Sequence, residues 1–278
     1  AAERAHAARS LRADPSPAAR DVLSKLLGGT EPAEVQLAAV AALDAHSEPE
    51  VAAVLTAALP KLTPAVRPAA VQALVARPAR AAAFLSAIDA GKLPATLLDP
   101  AALARLRQSK DAEVRRLAEA VAAKAKVSPR AEAVAAYRKS LDLAGDAARG
   151  HALFAQRCAA CHKLDGEGNE VGPNLAAMRS RGTEAVLVNL IDPNREVNGQ
   201  YVEYQLETKD GRTASGLLSA ESAAAVTLLK PGGAAETIAR ADIATLRSTG
   251  QSIMPEGLER DLDAQAVADL IAFVMKER

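Results

Sequence analysis

The chain has 278 residues, room for about two domains, and 49% of them are apolar, enough for ordinary buried cores. Formal charge is zero overall, with 18 Lys and Arg against 13 Asp and Glu in residues 1–130 and 16 against 21 in residues 131–278. That division is two solvated surfaces of mild and opposite sign, too weak for the clustered basic charge of a nucleic-acid binder. No run approaches the roughly 18 to 20 apolar residues of a membrane-spanning helix, and Ala1-Ala2-Glu3-Arg4 does not read as a signal peptide, so a soluble chain is expected.

The apolar content is mostly alanine, with 2% aromatics and no tryptophan, so its helices must pack closely on small side chains. From about Pro17 to Lys126 the sequence repeats loosely. Val35 to Leu43 aligns with Val66 to Leu74 about 31 residues later, and Val114 to Val121 is a weaker third copy. Each copy follows a turn and cap signal, at Thr30-Glu31-Pro32, Thr63-Pro64 and Ser109-Lys110-Asp111. Val35, Ala39, Leu43 and Val66, Ala70, Leu74 fall four apart on one helical face, and a second helix such as Val51 to Leu59 lies between copies. Paired helices at this period make an α-solenoid and resemble HEAT repeats, a shape that serves equally as a partner-binding face or a spacer. His6 and His46 read as exposed helix-end residues. A helical segment from about Pro129 to Leu143 follows.

Asp146 to Cys158 reads as a capped helix with Gly150, Phe154 and Cys158 on one face. It runs into Cys158-Ala159-Ala160-Cys161-His162, a C-x-x-C-H motif. Two thiols three residues apart on a short turn can both add to the vinyl groups of one porphyrin, and the next residue, His162, is then held under the iron. C-x-x-C also serves thiol redox chemistry and half of a zinc site. These are the chain's two cysteines, the remaining histidines do not form a spaced pair, and no strand precedes the motif, so one covalent haem c is expected.

The closing helix, Asp263 to Lys276, puts Val267, Leu270, Ile271 and Val274 on one face with Phe273 beside it. Together, Gly150, Phe154 and Phe273 resemble the crossing of first and last helices in class I cytochromes c. The resemblance extends to Gly172-Pro173-Asn174-Leu175, which implies that the proline carbonyl accepts the N–H of the ligating imidazole, an orientation expected for iron-bound histidine. Thr183 to Ile191 is the middle helix, ending before Pro193.

Beyond it, Val202, Tyr204, Leu206 and Thr208 alternate with polar residues up to a turn at Lys209-Asp210-Gly211-Arg212. Thr213 to Ser219, Ala225 to Lys230 and Glu236 to Arg240 are further short strands, the last two joined by Pro231-Gly232-Gly233, giving a meander of about four strands. Ser252-Ile253-Met254-Pro255-Glu256-Gly257-Leu258 comes next. A thioether stabilises ferrous iron better than a second imidazole. Met178 follows His162 too closely to reach the opposite face and Met275 lies on the closing helix, which leaves Met254 as the expected second iron ligand. Tyr201 and Tyr204 are weaker candidates, the alternation fitting a half-buried strand better, and His151 sits on the helix that leads into the attachment motif.

The stretch from about Gly150 to Lys276 resembles the haem-binding domain of the Pirellula/Verrucomicrobium type. The match rests on the C-x-x-C-H motif, Gly172 to Leu175, Ile191-Asp192-Pro193, Thr208 to Arg212 and Ser252 to Leu258. That family often follows a sugar-dehydrogenase β-propeller and HEAT-like repeats, which implies the electron-accepting tail of such an enzyme or a free relative. It also implies haem contacts from Phe154, Gly172, Pro173, Asn174, Leu175 and Ile253.

The expected fold is therefore mainly α: a HEAT-like α-solenoid (1–130), a helical linker (131–145) and a class I cytochrome c-like domain (146–278), with a small antiparallel β-sheet inserted at about 200–245. The expected role is an electron carrier, not itself an enzyme. Cys158 and Cys161 hold the haem, with His162 and Met254 on the iron. A dehydrogenase upstream and a cytochrome or oxidase downstream would be its partners. Covalent attachment at C-x-x-C-H sites implies a periplasmic or otherwise extracytoplasmic location. The alternatives are a haem-based sensor or small-ligand module, with Met254 off the iron, and an interaction scaffold with a structural haem.

Overall fold

Alanine favours helix and leaves little side chain between neighbouring axes, and the N-terminal half is built on that property. The computed structural model describes residues 1–125 and 129–277, so the expected end of the repeats at Lys126 lies outside the described residues. Eight α-helices occupy the first part: Ala2–Ser10, Pro17–Leu26, Ala33–Ala45, Glu50–Ala58, Arg67–Val75, Pro78–Asp89, Pro100–Arg107 and Ala112–Ala125. Proline in the first turn starts several of them, where its missing N–H costs nothing. Ser16, Asp99 and Asp111 cap helix starts with side-chain oxygens. The four-residue spacing holds, with Val35, Ala39, Leu43, Val66, Ala70 and Leu74 all fully buried.

The caps expected from Thr30 and Thr63 are not made by their side chains. The Thr63 hydroxyl is instead buried and donates to Glu221 at 2.6 Å, because that carboxylate lies inside the fold and requires donors. His46 also departs from expectation. It is buried, with Nε2 3.0 Å from the Leu11 carbonyl, which also accepts from the Asp14 N–H at 3.1 Å. Arg80, likewise buried, donates to the Asp44 carboxylate at 2.9 Å and to the His46 carbonyl, closing the C-terminal end of Ala33–Ala45 where a cation is favoured.

The β insertion is larger than expected, with five strands in the order Ala235–Ala239, Ala225–Leu229, Thr213–Glu221, Val202–Thr208, Ile243–Ser252. The fifth strand has weak alternation and a left-handed glycine, Gly250, near its end, and so carries little periodic signal. Residues 202–228 and 236–250 belong to the same compact unit as the N-terminal helices. The first strand alternates as its sequence predicts, and its buried Tyr204 donates to the Leu62 carbonyl at 2.8 Å and accepts from Arg67. Burial pushes the phenol up to about 12. Arg240 pairs with Glu221 at 2.8 Å and donates to the Glu31 carbonyl at 3.0 Å. Gly29 lets a helical turn meet the Leu246 carbonyl where any side chain would collide.

The second unit gathers the helices Ala131–Tyr137, Ala147–Arg157, Thr183–Ile191 and Ala264–Met275 with the hairpin tip Leu229–Ala235. Ala147–Arg157 crosses Ala264–Met275, and a Cβ on Gly150 would overlap the Asp269 carbonyl, so the crossing distance depends on that glycine. Phe154 and Phe273 meet at 5.4 Å between ring centroids. Asp269, buried, accepts from Arg149 at 2.6 Å and from the Asp146 backbone N–H at 2.7 Å. Arg149, reinforced by that backbone donor and by Gln265, holds the Asp269 carboxyl at about 2.

Two outcomes are expected. Tyr204→Phe removes a buried donor from Leu62 and an acceptor from Arg67, and is expected to lower the stability of its unit by about 1 to 3 kcal/mol, read from denaturant unfolding. Asp269 binds its proton more weakly in the folded chain than at the ordinary 3.8, so its stabilisation is complete above that value and drains away as pH falls towards 2. Asp269→Asn is expected to be less stable than the parent at neutral pH and to lose the acid dependence in that window, measured as unfolding midpoint against pH.

Candidate functional site

The Ala147–Arg157 helix delivers the motif. Asp146 caps its start by accepting from the Ala148 and Arg149 N–H groups, and at its end the Cys158 and Ala159 N–H groups both reach the Phe154 carbonyl, at 2.8 and 2.9 Å. A second turn follows without a break, with the Cys161 and His162 N–H groups on the Cys158 carbonyl at 3.0 and 2.8 Å. Both thiols are half-buried and are not joined to each other. Burial pushes the Cys158 thiol up to about 11, with the nearby Cys161 adding to the rise; burial also raises Cys161, opposed by the N–H of Gly232. A reactive redox pair needs the reverse, a depressed thiol in an electropositive setting. Among the described residues no group of three or more His, Cys, Asp or Glu could hold a metal ion by itself, so the donor set of a structural zinc site is lacking.

His162 is oriented by two neighbours. Its Nδ1 lies 2.8 Å from the Pro173 carbonyl and donates to it, which leaves Nε2 unprotonated with its lone pair outward. Burial depresses the imidazole, against the opposing pull of the Pro173 bond, so the ring is neutral and competent to ligate. Gly172 lies flat against that ring: a Cβ there would come within 2.6 Å of Cε1. The Gly172 N–H also donates to the Cys161 carbonyl at 2.6 Å, tying the loop to the motif. A pair of unjoined thiols, a neutral imidazole whose Nδ1 is committed to the backbone and a glycine in place of a side chain fit a covalently attached, histidine-ligated haem.

Of the other residues singled out from sequence, Phe154 is fully buried in the core of this unit, and Leu175 packs against that core beside Cys158 and Ala159. Asn174 caps the short helix Leu175–Arg181 by accepting from the Ala176 N–H at 2.9 Å. Ile253 is half-buried and its N–H donates to the Tyr201 carbonyl at 3.0 Å. Met254 is half-buried against the same core, and so are Met178 and Met275. His151 is exposed and bonds Glu167 at 2.6 Å. Tyr204 is committed to Leu62 and Arg67 in the other unit, which removes it as an iron-ligand candidate.

Sequence reasoning missed two supports. The Gly232 N–H donates to the Ala160 carbonyl at 2.8 Å, so the Pro231-Gly232-Gly233 tip rests on the attachment motif. A glycine turn was legible there; its destination was not. Arg179 grips Asp165 through two bonds of 3.0 and 2.7 Å, holding a residue in the left-handed region at φ 51°, and also donates to the Val274 carbonyl at 3.1 Å.

Residues 147–231 match the cytochrome c family, and residues 1–75 match HEAT repeats. The segment that holds the attachment motif is thus similar to cytochrome c. Similar proteins include cytochrome c of Stellaria longipes, 54% identical over 43 residues, and cytochrome c of Arabidopsis thaliana, 49% identical over 47. These stretches cover 15% and 16% of this chain and 40% and 42% of the relatives, so the chain spans less than half the length of the curated relatives it matches. The match supports a covalently bound haem c as the cofactor of this segment. The family match ends before Met254.

Gly172→Ala is expected to push the imidazole off the Pro173 carbonyl and to lower the yield of low-spin holoprotein, measured as the ratio of haem absorbance to protein after purification.

Proposed function

We propose that this chain is a one-electron carrier in which Cys158 and Cys161 form the thioether links to haem, and His162 and Met254 are the axial ligands. The observation that carries the reading is the Nδ1 to Pro173 bond, which commits one histidine nitrogen to the backbone and reserves the other for iron. Haem iron supplies reversible one-electron transfer between its ferric and ferrous states. The chain's own residues supply the setting. The Pro173 carbonyl fixes the tautomer and ring plane of His162, and Gly172 gives the ring its space. Met254 offers an uncharged thioether from a half-buried position, a donor that favours the ferrous state. Phe154 and Leu175 keep the neighbourhood apolar, which limits water at the site.

The helix crossing at Gly150, Phe154 and Phe273 supports a class I-like fold for this domain. The motifs at Ile191-Asp192-Pro193, Thr208 to Arg212 and Ser252 to Leu258 support membership of the Pirellula/Verrucomicrobium type. On that reading the electron donor is a dehydrogenase domain or partner and the acceptor another cytochrome or an oxidase, in an extracytoplasmic compartment where C-x-x-C-H sites receive their haem.

Because three methionines pack on one core, the test compares Met254→Ala with Met178→Ala and Met275→Ala. Only Met254→Ala is expected to lose the methionine-to-ferric charge-transfer band and to bind carbon monoxide readily when reduced. Loss of the band in one of the other variants moves the ligand there. A parent protein that binds carbon monoxide as freely as Met254→Ala is a sensor instead.

A further inference from the structure

A methionine has three flexible torsions, so where its sulfur sits is decided by the backbone that carries it. One carboxamide spans that backbone. Asn194, half-buried just after Ile191-Asp192-Pro193, accepts from the Ser252 N–H through Oδ1 at 2.8 Å and donates through Nδ2 to the Glu256 carboxylate at 2.6 Å. It thus grips the chain two residues before and two residues after Met254. Between those points Ser252 Oγ accepts from the Met254 N–H at 3.1 Å, and the Ile253 N–H is taken by the Tyr201 carbonyl.

The far side of the loop is held separately. Arg130 pairs with the buried Glu259 and donates to the Ile191 carbonyl at 2.6 Å, and its other nitrogen lies 3.9 Å from Glu256. The Tyr137 hydroxyl is shared between the Glu259 and Leu262 carbonyls, at 2.7 and 2.8 Å. These contacts anchor residues 259–262. Asn194 alone among the named side chains brackets Met254 itself.

We propose that Asn194 is the positioning residue for Met254, closing residues 252–256 into a staple whose integrity sets how much of the protein has the thioether in its ligating place. The proposal rests on the assignment of Met254 as an axial ligand. Asn194 touches neither haem nor iron in this role and acts only through the loop.

The test uses the haem-loaded full chain with Asn194→Ala, Asn194→Asp and Glu256→Gln, beside Met254→Ala. Readouts are the methionine-to-ferric charge-transfer band, carbon monoxide affinity of the reduced protein, the reduction potential and the thermal unfolding midpoint. Asn194→Ala is expected to weaken the band, lower the potential and raise carbon monoxide affinity about tenfold, the effect of one net hydrogen bond on a loop equilibrium. Asn194→Asp, nearly the same shape, keeps an acceptor for Ser252 but sets a carboxylate against Glu256, and is expected to shift the same readouts. Glu256→Gln keeps an acceptor oxygen for Asn194 but loses the charge that faces Arg130, and is expected to move these readouts less than either Asn194 variant. The proposal is overturned if both Asn194 variants keep the parent's band, potential and carbon monoxide affinity while Met254→Ala loses them, or if they change only the unfolding midpoint. If Met254→Ala itself keeps the band, the ligand assignment fails first and the staple with it.

Discussion

One proton on His162 fixes what the haem segment can bind. Because Nδ1 gives that proton to the Pro173 carbonyl, the ring cannot rotate or change tautomer without losing that hydrogen bond. Several local features make sense only as conditions for that bond. Gly172 must be a glycine, since a methyl group would occupy the space of the imidazole. Its N–H must reach the Cys161 carbonyl, so that the loop and the motif move as one piece. Asn174 then turns the chain at once into a capped helix, and Arg179 at the far end of that helix returns to Asp165 beside the motif. The result is a closed circuit of short contacts around one side chain, all within about twenty residues of sequence.

That locality explains why this part of the chain was legible and others were not. The C-x-x-C-H motif, the Gly-Pro loop and the helix Thr183–Ile191 are specified by residues near each other in sequence, and the structure has them where spacing put them. The crossing of Ala147–Arg157 with Ala264–Met275 was legible through the resemblance to class I cytochromes c, which implied it from Gly150, Phe154 and Phe273. What failed depended on distant partners. Thr63 has the look of a helix cap, yet its hydroxyl is claimed by Glu221, a residue more than a hundred positions away. His46 looked like a surface residue, yet it is buried against the Leu11 carbonyl, 35 positions away. The fifth strand lacks alternation because its pairing, not its pattern, decides its state.

The first unit shows how a core poor in aromatic residues is specified. Close-packed alanine helices bury area but offer few shapes that exclude a slipped arrangement. Buried arginines supply the missing directionality. Arg67, Arg80 and Arg240 each reach backbone carbonyls, and a buried guanidinium is strongly disfavoured without such partners. A register shift would strand them. Tyr204 belongs to the same device, since its hydroxyl is satisfied only when the first strand sits opposite Leu62 and Arg67.

The two proposed axial ligands are consequently secured by different physics. His162 lies four residues beyond Cys158 and is held by its own loop, so its placement survives whatever happens downstream. Met254 stands some ninety residues later, at the point where the strand Ile243–Ser252 gives way to a loop, beyond the end of the family match. Locally it is held by Pro255 and the Ser252 hydroxyl. Further contacts come from elsewhere in the unit, with Asn194 bonded on both flanks and Arg130 and Tyr137 beyond the second. A ligand held by a few non-local hydrogen bonds is easier to release than one held by a continuous turn, because each bond contributes only about 1 kcal/mol net. On the proposed ligation, the hold that Met254 would have on iron, and with it the balance between electron carrier and ligand-binding site, depends on those polar contacts and not on the attachment motif.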